Sequence, residues 1–132
     1  VEVWMHKEQP FYLYFMDLDD FKTINDKYGH SVGDLYLNSF SKALKTVIDE
    51  ETRIFRIAGD EFICLSYNPD IKDVLEGLDI RLDIESTGLE HINFLGVSVG
   101  CASYPKDAEK LSTLMEFADK KMYIRKAQKK GK

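Results

Sequence analysis

Two kinds of apolar pattern alternate along the chain, and they predict alternating strands and helices. A continuous apolar and aromatic run at residues 11–16, FYLYFM, is typical of a strand buried on both faces. Residues 53–57 and 62–66 predict two strands joined by a turn at residues 58–61. Residues 92–102 predict another strand, in which two glycines mark bulges or close packing.

Helical spacing of apolar residues fills the stretches between these strands. A short helix is predicted in DLDDFKTINDKYGH, where Gly29 stops it. A second helix is predicted from near Ser31, with Asp34 three residues on in a spacing that resembles a capping box. Residues 71–84 and about 109–127 predict two more helices. The apolar positions that define these three helices are Leu37, Phe40, Leu44, Val47 and Ile48; Val74, Leu75, Leu78 and Leu82; and Leu111, Leu114, Met115, Ala118 and Met122.

Length and composition predict one domain over residues 1–132. A chain of 132 residues with 44% apolar and 31% charged residues is long enough to bury a sizeable core without disulfides or structural metals. No apolar run approaches the roughly 20 residues of a membrane helix, and the start of the chain lacks a signal-peptide pattern. Cys64 and Cys101 both sit in apolar runs, so we expect buried free thiols in a reducing cytosol rather than a disulfide or a metal pair.

Charge is distributed unevenly. The net charge of −5 argues against nonspecific binding of nucleic acid. The last stretch, from Lys120 onward, is strongly basic; a solvated helix face with a frayed end is the simpler interpretation of its final lysines. Acidic residues gather after the first strand, at Asp17, Asp19 and Asp20, and at the hairpin turn, at Asp60 and Glu61.

These acidic residues suggest metal chemistry. A carboxylate at a strand end is held rigidly, and Asp17 and Asp60 converge if the hairpin lies beside the first strand. Two carboxylates that leave room for water and phosphate oxygens suit Mg²⁺. A basic helix opposite them would meet a triphosphate, as metal-assisted phosphoryl or nucleotidyl transfer requires. The alternative is that acidic residues simply collect at loop tips, and spacing alone leaves both interpretations open.

Three blocks of sequence carry a family resemblance. DLDDFKTINDKYGHSVGD is followed, 24 residues after Asp34, by AGDEF, and ADKKMYIRK stands near the C-terminus at residues 118–126. In order and spacing these blocks resemble the GGDEF family of diguanylate cyclases from about Pro10 onward. The resemblance implies condensation of two GTP molecules into cyclic di-GMP, with Mg²⁺ or Mn²⁺ as cofactor. It also implies an α/β fold, more strictly α+β, with a central, largely antiparallel five-stranded sheet surrounded by helices, similar to the nucleotidyl-cyclase and polymerase palm.

The resemblance also assigns roles to residues. Asp17, Asp60 and Glu61 match the catalytic acidic positions, and a metal is held by Asp17, by Asp60 and by the backbone carbonyl of Leu18. Asn25 and Asp34 match a pair that binds the guanine edge, Gly59 matches a glycine that the nucleotide approaches, and Lys120 matches a phosphate-binding lysine. Each binding residue has an alternative: Asn25 as a cap before Gly29, Asp34 as a favourable charge at a helix start, and Lys120 as a surface lysine.

The chain departs from the family pattern at three places. Ala58 replaces the first signature glycine, and Ile124 stands at a second basic position, with Arg125 one residue on. A one-residue step turns about 100° around a helix, so Arg125 cannot simply substitute for it. The inhibitory product motif RxxD falls on residues 49–52, DEET, which contain neither its arginine nor its aspartate.

The resemblance has consequences for partners as well. One site holds one nucleotide, so turnover is expected to need a homodimer. The segment DxLTGLxNR, which the family carries before the first helix, is missing, so we expect a fragment of a longer protein with sensory or other domains. We expect a cytoplasmic location, although the full-length protein could be membrane-anchored. Two alternatives stay open: a GTP-binding regulatory module without turnover, and a purely structural dimerisation domain.

Overall fold

Strand β1 runs through the middle of an antiparallel sheet. The computed structural model describes residues 9–78 and 94–131, and in this part of the chain the sheet has four strands in the order β2-β3-β1-β4. All three strand pairs are antiparallel, which confirms the predicted fold class, whereas the predicted count of five strands is wrong for the described residues. The elements in chain order are β1 (Phe11–Leu18), α1 (Phe21–Tyr28), α2 (His30–Val47), β2 (Arg53–Ala58), β3 (Glu61–Ser66), α3 (Ile71–Glu76), β4 (Val97–Tyr104) and α4 (Leu111–Lys130).

The alternation of side chains along β1 divides the core into two layers. Phe11, Leu13 and Phe15 pack with the buried residues of α4. Tyr14, Met16 and Leu18 point to the opposite face, where α1, α2 and α3 cover them. Because successive side chains of a strand alternate between faces, Asp17 continues the series 11, 13, 15 and belongs to the α4 face.

Helix α4 lies directly against β4 because Gly100 has no side chain. A β-carbon at Gly100 would collide with the backbone carbonyl of Ala118 and the backbone nitrogen of Met122. The prediction of close packing at this glycine is therefore confirmed. Ala118 and Met122 are fully buried, so the turns of α4 that follow on the same face are directed toward the end of β1.

Several predicted boundaries differ from the structure. Helix α2 begins at His30 with Gly29 as its N-cap and no side-chain cap, so the capping box at Ser31 is wrong. The cause is Gly29, whose φ of 92° lets α1 end and α2 begin around one residue. Strand β4 starts at Val97, because Gly96, with φ of 103°, breaks the extended run, and residues 94–96 are not in a strand. The predicted strand residues 92–93 lie outside the described residues. Helix α3 ends at Glu76, and the predicted helical residues 79–84 lie outside the described residues.

Both thiols are free, as predicted, but only Cys64 is buried, whereas Cys101 is partly exposed. Cys64 and Cys101 pair with Tyr14 from opposite sides in the sheet register. They are therefore separated by two inter-strand spacings, about 9–10 Å, which is too far for a disulfide. Burial raises the pKa of Cys64 to about 12 and also raises that of Cys101. Among the described residues, no helix combines the length and the apolar character that a membrane span requires.

Candidate active site

Asp17 is the centre of the candidate site. It lies near the end of β1, opposite Glu61 of β3 and Ser98 of β4, and only 8% of its surface is exposed. The predicted residues Asp17 and Glu61 are thus direct cross-strand neighbours. A carboxylate inside a three-strand frame has little freedom to move, so its oxygens are held in place before any ligand arrives.

The hairpin turn brings Asp60 to Asp17, as the sequence predicted. The backbone nitrogen of Leu18 donates to the Asp60 carbonyl oxygen at 3.2 Å, which fixes the turn against the end of β1. Burial, and then the neighbouring carboxyl of Asp60, raise the pKa of Asp17 to about 7. Two carboxyl groups that share a confined space disfavour each other's ionisation. The site therefore favours whatever supplies positive charge.

Lys126 of α4 supplies positive charge at this point, and the sequence analysis did not identify it. Its Nζ lies 3.2 Å from Asp17 Oδ1 and donates to the Leu18 carbonyl oxygen at 3.4 Å. The ammonium lowers the pKa of Asp17, but less than burial and Asp60 raise it. The helical spacing Ala118–Met122–Lys126 was the available signal, since residues four apart share one face of a helix.

The oxygens of this site fit a hard divalent cation. Within the described residues, Asp17 Oδ1 is buried and accepts no hydrogen bond, although Lys126 attracts it by charge. The carboxylates of Asp17 and Asp60 and the carbonyl of Leu18 are oxygen donors of the kind Mg²⁺ prefers. No cluster of three or more acidic, histidine or cysteine ligands occurs in the described part of the chain. Two carboxylates suffice for Mg²⁺, which fills its other positions with water and phosphate oxygens.

Asp19 belongs to a separate cluster. Its Oδ1 accepts a hydrogen bond from Ser98 Oγ at 2.6 Å, and its Oδ2 pairs with Lys129 Nζ at 2.7 Å. Lys129 also donates to the Val97 carbonyl oxygen at 2.6 Å. Both carboxylate oxygens of Asp19 are therefore engaged within the protein. Asp20 is exposed in a left-handed conformation, with φ of 56°.

The predicted guanine-binding residues are on two adjoining helices. Asn25 on α1 packs its amide against Gly33 of α2, and the neighbouring Asp34 is exposed. Asn25 is half-buried, and α1 and α2 pack together along this seam. The structure therefore places the amide beside the helical turn that carries the carboxylate. Their role in base recognition stays a prediction.

The signature turn accommodates both small residues without strain. Ala58 is the last residue of β2 and pairs with Glu61, so its backbone is extended as predicted. Gly59 does not have a positive φ, and a β-carbon added there would have no neighbour within 4 Å among the described residues. The fold itself therefore does not require glycine at position 59, which leaves approach of a ligand as the reason for it.

Lys120 and Arg125 of α4 lie away from Asp17 and Asp60. Lys120 is exposed and six residues before Lys126, which corresponds to about 9 Å along the helix and about 120° around it. Ile124 is 58% exposed. Arg125 Nε donates to the two carboxylate oxygens of Glu76 at 2.9 and 3.2 Å, so its side chain is held elsewhere. Arg125 is therefore not positioned to replace the basic residue that is missing at Ile124.

Residues 49–52 form a structural turn. Asp49 Oδ1 accepts hydrogen bonds from the backbone nitrogen of Glu51 at 3.0 Å and from the hydroxyl of Thr52 at 2.7 Å. Thr52 is only 4% exposed and its hydroxyl also lies 3.0 Å from Ser66 Oγ. Thr52 therefore faces the core, and an aspartate there would bury a charge.

Known proteins are similar to this chain in sequence and in fold. The family model described as "Diguanylate cyclase, GGDEF domain" matches residues 2–132. The bifunctional diguanylate cyclase/cyclic di-GMP phosphodiesterase MucR of Pseudomonas aeruginosa is 36% identical over 124 residues, 92% of this chain and 18% of MucR. Diguanylate cyclase DgcP of Escherichia coli is 31% identical over 129 residues, 94% of this chain and 38% of DgcP. The solved GGDEF domain of TpbB (YfiN) from Pseudomonas aeruginosa aligns with a TM-score of 0.78 at 29% identity, covering 96% of this chain and 82% of that one.

The antiparallel sheet and the acidic hairpin beside its central strand define a nucleotidyl-cyclase type of domain. The chain belongs to the GGDEF domain family of diguanylate cyclases, so the resemblance stated from the sequence is confirmed. Members of this family act on GTP and are generally metal-dependent. The chain spans less than two fifths of the length of the two curated relatives named above.

Proposed function

We propose that this domain condenses two GTP molecules into cyclic di-GMP with release of two pyrophosphates. The observation that carries the proposal is the meeting of the buried carboxylate of Asp17 with the partly buried Asp60, whose negative charge Lys126 offsets only in part. Such a site gains most from a ligand that brings a divalent cation. A nucleoside triphosphate with its metal is a ligand of this kind.

The residues around the pair take complementary parts. Asp17, Asp60 and the carbonyl of Leu18 would hold Mg²⁺ or Mn²⁺, with Glu61 beside them in the active site. The bound metal would neutralise the triphosphate and the charge that develops on its α-phosphoryl oxygens. Lys126, whose ammonium lies beside Asp17, would bind the phosphates. This proposal gives Lys126 the part that the resemblance gave to Lys120, because Lys126 is the residue that contacts the carboxylate.

Base selection falls to Asn25 and Asp34. The Asp34 carboxylate can accept hydrogen bonds from the N1–H and N2–H₂ groups of guanine, and Asn25 completes the edge. Adenine offers no such pair of donors, so it would leave the carboxylate desolvated at a cost of about 1–3 kcal/mol. GTP is therefore expected to bind at least about tenfold more tightly than ATP.

Turnover needs two copies of the domain. Each site holds one GTP, and the 3′-hydroxyl of one GTP attacks the α-phosphorus of the other with in-line loss of pyrophosphate. A symmetric homodimer with facing sites supplies this geometry. In the longer protein, which we propose acts in the cytoplasm of a bacterial cell, neighbouring sensory domains would set the distance between the two copies. Cyclic di-GMP is not expected to inhibit through residues 49–52, because the motif is absent and Thr52 is buried.

A forced dimer tests the proposal directly. The domain is fused to a parallel coiled coil, which raises the effective concentration of one site at the other. Incubation with GTP and Mg²⁺ followed by chromatography should show cyclic di-GMP and pyrophosphate. The fusion carrying Asp17→Asn is the matched control and should make neither. A parent fusion that binds GTP but forms no product would contradict the cyclase assignment.

A GTP-binding regulatory module is the second candidate, favoured by Ala58 and by the exposed apolar side chain of Ile124. The extended backbone at Ala58 argues for retained activity, so Ala58→Gly should change turnover by no more than a few fold. Gly59→Ala should fold normally, because its β-carbon meets open space, yet lose at least about tenfold in activity if phosphate approaches there. An inactive parent whose activity appears with Ala58→Gly would favour the regulatory module.

A further inference from the structure

We propose that Gly33 is a positioning residue for guanine selection, because its missing side chain is what seats the Asn25 amide beside Asp34. The inference rests on the proposed function and deepens it. Gly33 does not touch the base in this account; it acts through Asn25. Its side-chain space on α2 is occupied by the functional group of another helix.

The contacts at Gly33 show that Asn25 fills this space. A β-carbon at Gly33 would collide with Asn25 Oδ1 and would lie 3.0 Å from Asn25 Cγ. The next atom, Phe21 Cζ, is 3.4 Å away, which is nearly ordinary van der Waals distance. Asn25 is therefore the main obstacle to a side chain at position 33.

The backbone gives no reason for glycine at this position. Gly33 lies within α2, its nitrogen donates to the Gly29 carbonyl at 3.1 Å, and its φ is not positive. Alanine stabilises a helix interior by about 1 kcal/mol relative to glycine. Glycine at position 33 therefore makes α2 less stable than alanine would. The Asn25 amide occupies the space where the β-carbon of an alanine would lie.

Displacement of Asn25 would have a specific consequence. The amide must reach the same base edge as Asp34, which is the next residue on α2. A methyl group at position 33 forces the amide away from α2 by more than an ångström, and hydrogen bonds weaken steeply over such a distance. The phosphate and metal residues are on β1, the hairpin and α4, so their contacts are unaffected. The predicted loss is therefore in base discrimination alone.

Nucleotide binding by a set of variants tests the inference. The ligands are 3′-deoxy-GTP and 3′-deoxy-ATP with Mg²⁺, which lack the attacking hydroxyl, and calorimetry gives the ratio of their affinities. Gly33→Ala and Asn25→Ala should each lower the preference for guanine by about fivefold, the value of one lost hydrogen bond. The double variant should show the same ratio as Asn25→Ala alone, because both changes remove one interaction. Ser31→Ala, an exposed change in the same turn of α2, is the matched control and should leave the ratio unchanged.

Thermal melting separates folding from positioning. If Gly33→Ala lowers the melting temperature through the collision, the double variant should recover it, because the two Asn25 atoms nearest to the new methyl group are then absent. Recovered stability with unrecovered guanine preference supports the inference. A Gly33→Ala protein that keeps the parent ratio overturns it while leaving the proposed function intact. An Asn25→Ala protein with the parent ratio instead overturns the base-recognition role of Asn25, and the inference with it.

Discussion

Asp17 and Asp19 are separated by a single residue and each lies beside a lysine of α4, yet the rest of their surroundings differs. Asp19 pairs with Lys129 at 2.7 Å and accepts a hydrogen bond from Ser98 at 2.6 Å. Asp17 is buried beside Asp60, and its Oδ1 accepts no hydrogen bond from the described residues. The comparison teaches that an acidic cluster in a sequence can contain one carboxylate used for structure and one left available for a cation.

The cause of the difference lies in the neighbouring strands. Asp17 is still inside the sheet, where its cross-strand neighbours are Glu61 and Ser98 and the hairpin adds another acid. Asp19 is one residue beyond β1, where its nitrogen bonds to the Gly96 carbonyl and the last turns of α4 supply a lysine. Four experiments test this contrast, the two with the largest expected effects on activity first.

Asp17→Asn should reduce cyclase activity by at least about 1,000-fold, because it removes a negative metal ligand worth several kcal/mol in the transition state. The fold should stay intact, since the change relieves repulsion with Asp60. The coiled-coil fusion is assayed for cyclic di-GMP, with circular dichroism as the folding check. Asp19→Asn is the matched control and should retain a large share of the activity. Near-normal activity of Asp17→Asn would remove Asp17 from the metal site.

Lys126→Met should lower kcat/KM for GTP by about 10- to 100-fold, the value of a charge-assisted hydrogen bond to phosphate. Lys120→Met changes the same residue type on the same helix, but on a different face, and should stay within about twofold of the parent. Steady-state kinetics over a range of GTP concentrations makes the comparison. A large loss in Lys120→Met with none in Lys126→Met would restore the role that the family resemblance gave to Lys120.

Breaking the Asp19–Lys129 pair should cost stability rather than chemistry. The two side chains are 13% and 28% exposed, so the pair is shielded enough for a coupling energy of about 1–2 kcal/mol. Urea unfolding of Asp19→Asn, Lys129→Met and the double variant gives that coupling from a double-mutant cycle. A coupling near zero would show that the cluster is a solvated surface contact.

The fourth experiment measures the pH dependence of stability without metal. The pKa of Asp17 is about 7 in the folded protein and about 3.9 in the unfolded chain. Between these values the folded state holds a proton that the unfolded state has lost, so this contribution to stability is complete below about pH 4 and disappears as the pH rises through about 7. Asparagine does not titrate, so the Asp17→Asn variant lacks this pH-dependent contribution. The difference in melting temperature, variant minus parent, should therefore be larger at pH 8 than at pH 5. A constant difference between the two proteins would contradict the raised pKa.

Much of this fold was predictable because its signals are local. The run FYLYFM identified β1, the turn between residues 57 and 62 identified the hairpin, and Gly29 marked the end of α1. Errors appeared where one backbone conformation overrode a side-chain pattern. Gly29 is the N-cap of α2, whereas the spacing of Ser31 and Asp34 predicted a cap at Ser31, and Gly96 removes residues 94–96 from the predicted strand.

The candidate site was only partly predictable. The meeting of Asp17 and Asp60 was predicted because a hairpin beside β1 leaves few other arrangements. The preference for Lys120 over Lys126 came from aligning a motif, whereas the side of α4 that faces the sheet is decided by packing. The spacing of Ala118, Met122 and Lys126 was visible in the sequence. Only the packing of α4 against the β1 face that carries Asp17 shows that this side of the helix places Lys126 at the site.

The sequence by itself determined the element types, the family and the positions of the acidic residues, because periodicity and short motifs depend on neighbours along the chain. The tertiary structure decided which acid remains short of partners, which lysine meets it and why position 33 is glycine. Those properties depend on helix rotation and on contacts between separate elements, such as Gly100 against α4 and Asn25 against α2. Pair distances of a few ångströms set the charge balance of the site, and no local pattern encodes them.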